Sequence, residues 1–349
     1  MNFQPLEKDD FEQVVFCQDQ KTGLKAVIAI HSTALGPAVG GCRMWKYSTD
    51  EEGIFDALRL SKGMTYKAAI SGLNWGGGKA VILEGPKGKT RDLLLRYGEY
   101  VNRLGGHYVT AKDVGIGSDD LKTVKEKTPH VLGIDGVAGS SGDPSPATGF
   151  GVYQGIKASA EFAFGSDQLK GKRIAVQGLG SVAFYMMEHL HKEGAILIGC
   201  DINEQMKKRA QDHFKLEIVA PEKIFDVDCD IFSPCALGGA LTQETVSRLK
   251  AKVIAGGANN QLATPDMAEV VTQKGFVYAP DYAINAGGLI NIYHESSYYN
   301  GYDRARAFDH VAKIRQTITS ILKRSKEEKL PTAVIADRMA EERFKAAKK

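Results

Sequence analysis

Long apolar runs are missing from this chain. No stretch approaches the roughly 20 apolar residues that a membrane-spanning helix needs, so none is expected. The opening stretch MNFQPLEKDDFEQ is polar and acidic. It lacks the basic start and apolar centre of a secretory signal, and a cytoplasmic chain is expected. An excess of one charge is missing too: 45 Lys and Arg stand against 42 Asp and Glu, a net +3. Such a balance gives no electrostatic reason for a nucleic-acid or membrane-surface partner. Cysteine is sparse, at Cys17, Cys42, Cys200, Cys229 and Cys235. The number is odd and no pair has CxxC spacing, so neither a disulfide framework nor a metal site is expected. Internal repeats and low-complexity tracts are absent as well.

What remains is an ordinary globular composition, 43% hydrophobic and 25% charged over 349 residues. That length fits two domains better than one. KAVIAIH, residues 25 to 31, reads as a strand and is followed by the Gly-rich LGPAVGGCR. Residues 50 to 68 and 90 to 104 carry helical spacing, the first with Asp50 as N-cap. GLNWGGGKAVIL reads as a glycine turn entering a short strand, and HYVTAKDVG as a strand ending in a polar turn. Between Asp135 and Thr148 the Gly/Ser/Pro-rich composition marks a loop and a hinge on which two domains close. Beyond it, RIAVQG, ILIGCD, CDIFSP, KVIAGG and FVYAP alternate with helical stretches, which predicts a parallel sheet with crossover helices. Two helical stretches, broken near Leu330 and Pro331, close the chain. Trp45 and Trp75 read as packing residues, and His31 and His294 as structural ones.

The clearest chemical signal is RIAVQGLGSVAFYMMEHLHKEGAILIGCD. A strand runs into Gly178-Leu179-Gly180-Ser181-Val182-Ala183, the GxGxxA form of the dinucleotide fingerprint. The first glycine permits the tight turn, the second admits a pyrophosphate, and the small last residue lets helix and strand pack closely. The helix N-terminus adds N–H groups and a favourable dipole. Asp201 ends the next strand at the offset expected of a ribose-binding acid. Its carboxylate accepts from ribose hydroxyls and repels a 2′-phosphate, and Lys207, Lys208 and Arg209 come later, so NAD is expected over NADP. The bland alternative is a strand–helix turn with a solvated Asp.

Lys79 follows Gly76-Gly77-Gly78. This is no P-loop, for Leu73 and Ala80 stand where that motif needs Gly and Ser or Thr. Three glycines allow close approach of a ligand or of another backbone segment. A lysine enclosed there would have its charge disfavoured and serve as a base; on the motif alone a surface lysine is equally consistent. Taken singly, Lys67 reads as a solvated helix lysine and Asp113, in TAKDVG, as a turn or cap.

Taken together these segments change the reading. FCQD, LGPAVGGCRMW, DALRLSKGMTYKAA, GLNWGGGKAVI, TAKDVG, SSGDPSPAT, VQGLGSVA, DCDIFSPCALGG, KVIAGGANNQL, APDYAINAGGLIN and ADRMAEER occur in this order. The chain resembles the glutamate/leucine/phenylalanine/valine dehydrogenase superfamily over nearly its whole length, and within it the leucine dehydrogenases most. The resemblance implies an α/β protein: an N-terminal α/β substrate domain and a Rossmann-like parallel-sheet NAD domain, with a cleft between them. The boundaries expected are 1–140 for the substrate domain, with the C-terminal helix 328–349 returning to it, and 141–327 for the NAD domain. The implied reaction is reversible NAD-dependent oxidative deamination of an apolar L-amino acid, leucine and other branched-chain ones, to its 2-oxo acid and ammonium. A homo-oligomer is implied; its size, dimer or octamer, stays open, for the chain ends at Lys349, sooner than many relatives.

Residue by residue, the resemblance makes Lys79 the catalytic lysine and Asp113 its proton-shuttling partner. Lys67 matches the lysine that grips the substrate α-carboxylate, with Met64, Gly40 and Gly41 around the substrate. Thr148, Asn260 and Asn285 match residues near the nicotinamide or substrate, and Cys235 and Ala236 join Gly178, Gly180, Ser181, Val182 and Asp201 around the cofactor. Val39, Ala111, Leu289 and Ile292 match positions that line the side-chain pocket. Val39 and Ile292 replace a lysine and a serine that hold the side-chain carboxylate in glutamate dehydrogenases, so a buried glutamate carboxylate would have no partner here. Departures from the pattern include Lys112 for a common acid beside Asp113, Ser181 for Asn, and Trp75 for Leu. A phenylalanine, valine or tryptophan dehydrogenase on the same scaffold is the alternative, and a nucleotide-binding pseudoenzyme a further one.

Overall fold

The computed structural model describes residues 9–296 and 298–348; most of the polar opening stretch read for a leader lies outside them. The chain forms two compact units. The first comprises Met1–Gly142, Ile292–Tyr302 and Ala340–Lys349, the second Asp143–Asn291 and Asp303–Met339.

The first unit is built on a five-stranded sheet. Its elements are β1 (Gln13–Asp19), β2 (Leu24–Ser32), β3 (Ala38–Trp45), helix α1 (Asp50–Ile70), β4 (Gly76–Leu83), α2 (Arg91–Arg103), β5 (Tyr108–Lys112) and α3 (Ser118–Lys125). The strand order is β1-β2-β4-β3-β5. The pairs β1–β2 and β2–β4 are antiparallel, while β4, β3 and β5 run parallel. Side-chain alternation gives the sheet two apolar faces. Val27, Ala29 and Val81 pack against Ala57 and Leu58 of α1. Ala26, Ile28, Cys42, Ala80, Ile82 and Tyr108 point the other way, into a core with Leu93, Tyr97 and Val101 of α2 and Leu121 and Val124 of α3.

Several local expectations are corrected. LGPAVGGCR lies largely within β3, and Gly76 to Gly78 are strand residues of β4 rather than a turn before it. The cap of α1 is Thr49, whose Oγ1 accepts the Glu52 N–H at 3.2 Å; Asp50 is the first helical residue, where its charge still favours the helix terminus. Trp75 is buried, but Trp45 is 54% exposed and packs little.

The second unit holds a six-stranded parallel sheet, order β11-β10-β9-β6-β7-β8. It opens with α4 (Ser145–Phe164), so Thr148 is helical and the loop expected to reach it ends at Pro144. Then come β6 (Arg173–Gln177), α5 (Ser181–Lys192), β7 (Ile196–Cys200), α6 (Glu204–Phe214), β8 (Glu217–Ile218), β9 (Ile231–Pro234), β10 (Val253–Ile254) and β11 (Val277–Tyr278). Each of the five strand segments read from the sequence contains one strand of this sheet; β8 is additional. The C-terminal region forms three helices rather than two, Arg304–Ala312, Ile314–Glu328 and Thr332–Ala347. The break before Pro331 is made by Lys329 in the left-handed conformation. Among the described residues no helix is long and apolar enough to cross a membrane.

Candidate active site

In the first unit, strand register assembles the candidate residues in rows. Val39 pairs with Gly77 on β4 and Val109 on β5; Gly41 pairs with Ala111, and Arg43 with Val81. Because side chains alternate, Lys79, Gly41 and Ala111 share one face, and Arg43 and Asp113 share it one row further on. That is the face α1 covers at β2 and β4.

Glycines make this packing possible. A Cβ on Gly77 would overlap the backbone and hydroxyl of Thr65 in α1, and one on Gly40 would overlap the carbonyl oxygen of Gly78. The triplet therefore serves the close approach of protein backbone and of the Tyr108 ring, which a Cβ on Gly78 would meet at 2.6 Å. Gly41 leaves room for Asp113, whose Cβ would lie 2.8 Å from a Cβ added there. Tyr108 fixes β3 by donating its hydroxyl to the Gly40 carbonyl at 2.7 Å.

Lys79 is only 6% exposed, and its Nζ donates to Oδ2 of Asp113. Asp113 also has Arg43 Nε at 3.4 Å from the same oxygen. Burial works to raise the Asp113 pKa, but Lys79 and Arg43 outweigh it and hold the carboxyl below its ordinary value. Arg43 is in turn anchored by Asp56, whose Oδ2 accepts from Arg43 Nη1 and from the Tyr47 hydroxyl, both at 2.7 Å. Met64 and Lys67 flank Thr65, where α1 crosses Gly77; both are half-buried. Val39 and Ala111 are buried, and Ile292 reaches within 3.5 Å of the Cβ position of Gly133.

The second unit carries the remaining candidates. Gly178 has φ +89°, and a Cβ there would strike Ala236 at 2.8 Å, so this turn admits only glycine without strain. The Leu179 N–H donates to Asp201 Oδ2 at 2.7 Å, tying the turn to the end of β7. A Cβ on Gly180 would meet nothing within 4 Å, and Ser181 is exposed at the start of the twelve-residue α5. Open space before a helix N-terminus suits a pyrophosphate, so the residues present could hold a dinucleotide. Val182 packs near Gly257, whose N–H donates to Cys235 Sγ at 3.3 Å. Asn260 holds φ +51°, and its carbonyl accepts the Gly239 N–H at 2.7 Å. Asn285 is buried and donates to Asn259 Oδ1 at 2.7 Å and Gly257 O at 3.2 Å. Thr148 Oγ1 donates to Pro144 O at 2.9 Å, and Leu289 is half-buried. The ends of β6, β7, β9 and β10 thus gather most of the cofactor candidates at the carboxyl edge of a parallel sheet.

Sequence reasoning missed Arg43 and Asp56. Reading AVGGCRMW as a strand would have placed Arg43 two residues beyond Gly41, on the same face. The histidines carry no site: His31 is buried with Nδ1 2.8 Å from Thr65 Oγ1, and His294 stacks on Tyr299 at 4.3 Å. Among the described residues no group of three or more His, Cys, Asp or Glu could hold a metal ion.

Comparison with known proteins supplies context for this geometry. Residues 11–130 match the family described as Glu/Leu/Phe/Val dehydrogenase, dimerisation domain. Residues 139–204 and 201–349 match Glutamate/Leucine/Phenylalanine/Valine dehydrogenase. A leucine dehydrogenase of Bacillus cereus is 52% identical, and one of Geobacillus stearothermophilus 50%, each aligned over 99% of this chain and 94% of the relative. The crystal structure of L-tryptophan dehydrogenase from Nostoc punctiforme superposes with a TM-score of 0.89 at 42% identity, covering 99% of both chains.

Proposed function

This chain belongs to the glutamate/leucine/phenylalanine/valine dehydrogenase family of amino-acid oxidoreductases, and we propose that it oxidatively deaminates leucine and other branched-chain L-amino acids with NAD. The reaction consumes amino acid, water and NAD, and yields 2-oxo acid, ammonium, NADH and a proton. One observation carries the assignment of roles: the buried Lys79 ammonium on the Asp113 carboxylate, in a sheet face that also presents Val39 and Ala111.

In this reading NAD, when bound, supplies the acceptor for the substrate's α-hydride. Lys67 pairs with the α-carboxylate and so orients the α-carbon. Lys79 passes a proton to Asp113 Oδ2 along their hydrogen bond. Its Nζ, then neutral, takes a proton from the water that attacks the imine carbon. Asp113 returns a proton to the departing amine. The cofactor is held by Gly178, Gly180 and the start of α5, with Asp201 accepting from ribose hydroxyls. Two of the three downstream cations are engaged locally, Lys207 with Glu204 and Arg209 over the Phe184 ring, which leaves little to receive a 2′-phosphate. The dimerisation-domain description of residues 11–130 supports a homo-oligomer.

The 50–52% identity to leucine dehydrogenases supports leucine as substrate. The likeness to the tryptophan dehydrogenase structure favours a second reading, an aromatic substrate on the same machinery. The test is NADH formation with each standard amino acid, for wild type, Lys79→Ala and Asp113→Asn, with NAD binding measured separately. Wild type should turn over branched-chain substrates. Lys79→Ala should lose at least about a hundredfold in turnover while still binding NAD. Near wild-type turnover in Lys79→Ala would overturn the roles given to the pair.

A further inference from the structure

Asp113 Oδ2 faces two cations, and the reaction proposed above uses only one of them. Arg43 stands across from Asp113 on β3, with Nε 3.4 Å from Oδ2 and both side chains about one-fifth exposed. Its Nε is buried and makes no hydrogen bond, whereas its Nη1 is committed to Asp56. Asp56 is itself held by Tyr47 at 2.7 Å and Arg59 at 2.8 Å. The guanidinium is therefore fixed at its far end, and its Nε–H is kept beside Asp113 without being spent there.

We propose that Arg43 is a positioning residue for Asp113: it stands ready to accompany the carboxylate when Lys79 turns to substrate, and so keeps Asp113 a proton relay rather than a proton sink. The inference rests on the Lys79–Asp113 reading of the reaction. Without Arg43, a carboxylate in a half-buried site would lose its remaining cation in the middle of the cycle. It would then retain the proton it receives from Lys79. The Arg43 charge is secure in this role. Burial disfavours it, but Asp113 and Asp56 outweigh that and raise its pKa above the usual value. The other ionisable groups near Asp113 leave this role to Arg43. Lys79 comes from β4 and is the partner that departs. Cys42, on β3, has its thiol pushed up to about 12 by burial and stays neutral. Lys112, next to Asp113 on β5, is turned to Asp135 at 2.7 and 2.9 Å. Lys67, on α1, is assigned to the substrate carboxylate.

The experiment compares wild type, Arg43→Gln and Arg43→Lys as full chains. The Asp113 carboxyl is followed by carbon NMR titration, assigned with Asp113→Asn, and kcat and KM for leucine are measured against pH. In Arg43→Gln the Asp113 titration should move up by about one unit, the size expected for losing one nearby opposite charge. The acid limb of kcat/KM should move with it. Turnover should fall roughly tenfold, a fraction of the ~10²–10⁴ attributed to acid–base catalysis, with KM little changed because the guanidinium is held on Asp56 and Asp113 and is given no part in binding substrate. Arg43→Lys should recover part of each effect, since it restores the charge but not the fork that reaches Asp56. If Arg43→Gln does not fold, Arg43→Lys carries the test. An unmoved Asp113 titration in a folded variant overturns the proposal, as does a raised KM with unchanged kcat. Failure of the wild type to oxidise any amino acid would instead overturn the proposed reaction, and the NMR titration would still decide whether Arg43 sets Asp113.

Discussion

Gly77 and Thr65 meet where α1 crosses β4: a methyl group added at Gly77 would overlap both the Thr65 amide and its hydroxyl. The helix can lie this close to the strand only because the strand has no side chain there, and Lys79 is the next residue on the same face. Gly77→Ala should therefore force α1 away from the sheet. The expected cost is at or above the ~1–3 kcal/mol typical of overpacking, because backbone rather than a flexible side chain is struck. Turnover should fall together with the thermal midpoint. An alanine variant with wild-type midpoint and activity would show that the helix is not seated as described.

Much of this architecture is legible in the sequence, and most of the exceptions share a cause. Five of the second unit's six strands announce themselves because the apolar run is bounded by a turn signal and set between helical stretches. In the first unit, glycine carries another meaning. Gly40, Gly41 and Gly76 to Gly78 look like punctuation, yet they are strand residues whose missing side chains admit a neighbouring strand, helix or ring. That need arises between segments far apart in sequence, so no local window contains it. β1 escapes for a different reason: Phe16 is exposed on an edge strand, and its pattern does not alternate cleanly. Lys79 and Asp113 are singled out by the family resemblance rather than by their own motifs, and the Arg43–Asp56 support behind them appears only once β3 is recognised as a strand.

His31 gives a pH dependence with a definite sign. Burial is the main cause lowering its pKa from 6.5 to about 4, partly opposed by its hydrogen bond to the Asp9 carbonyl. Above pH 6.5 the ring is neutral in both folded and unfolded chains and contributes nothing to pH dependence. Between 6.5 and about 4 the unfolded chain takes up a proton that the folded chain refuses, so stability falls as pH falls through that window. A displacement of this size corresponds to roughly 3 kcal/mol. Denaturant melts of wild type and His31→Asn at pH 7 and pH 4 check it. Equal pH slopes for the two proteins would exclude His31 as the cause.

Asp201 has two duties that one substitution can separate. It accepts the Leu179 N–H that closes the glycine turn at 2.7 Å and the Asn203 N–H on its other oxygen at 2.8 Å, and in the proposed function its charge opposes a 2′-phosphate. Asn in its place keeps an acceptor oxygen for the Leu179 N–H, gives up the one for the exposed Asn203 N–H, and removes the charge. Asp201→Asn should therefore leave the fold intact and raise the NADP-to-NAD ratio of kcat/KM on the order of tenfold, as expected for removing a nearby like charge in a partly solvated site. An unchanged ratio would mean that cofactor choice lies elsewhere. A wild type that already prefers NADP would contradict the role given to this residue.

In the proposed function, substrate choice is assigned to four residues without a polar side-chain atom: Val39, Ala111, Leu289 and Ile292. Val39 and Ala111 are buried in the strand face beside Lys79, while Leu289 and Ile292 are half-buried. A leucine isobutyl group placed against such residues gains roughly 1.5–3 kcal/mol from burial. A glutamate side chain would bring a carboxylate among these four apolar side chains, at a cost of several kcal/mol, so glutamate should be inert. The comparison with aromatic substrates is closer. By the family resemblance, Val39 stands where leucine is usual and frees volume, whereas Leu289 and Ile292 stand where valine is usual and fill it; two enlargements against one reduction favour an aliphatic substrate. The difference of one methylene in such a space is worth only about 1–3 kcal/mol, so the expected preference of leucine over phenylalanine is about 10- to 100-fold in kcat/KM. Ranking kcat/KM for leucine, valine, isoleucine, phenylalanine, tryptophan and glutamate decides the matter. Tryptophan or phenylalanine at the top would overturn the volume argument and leave the reaction standing. Measurable glutamate turnover would remove these four residues from the side-chain site altogether.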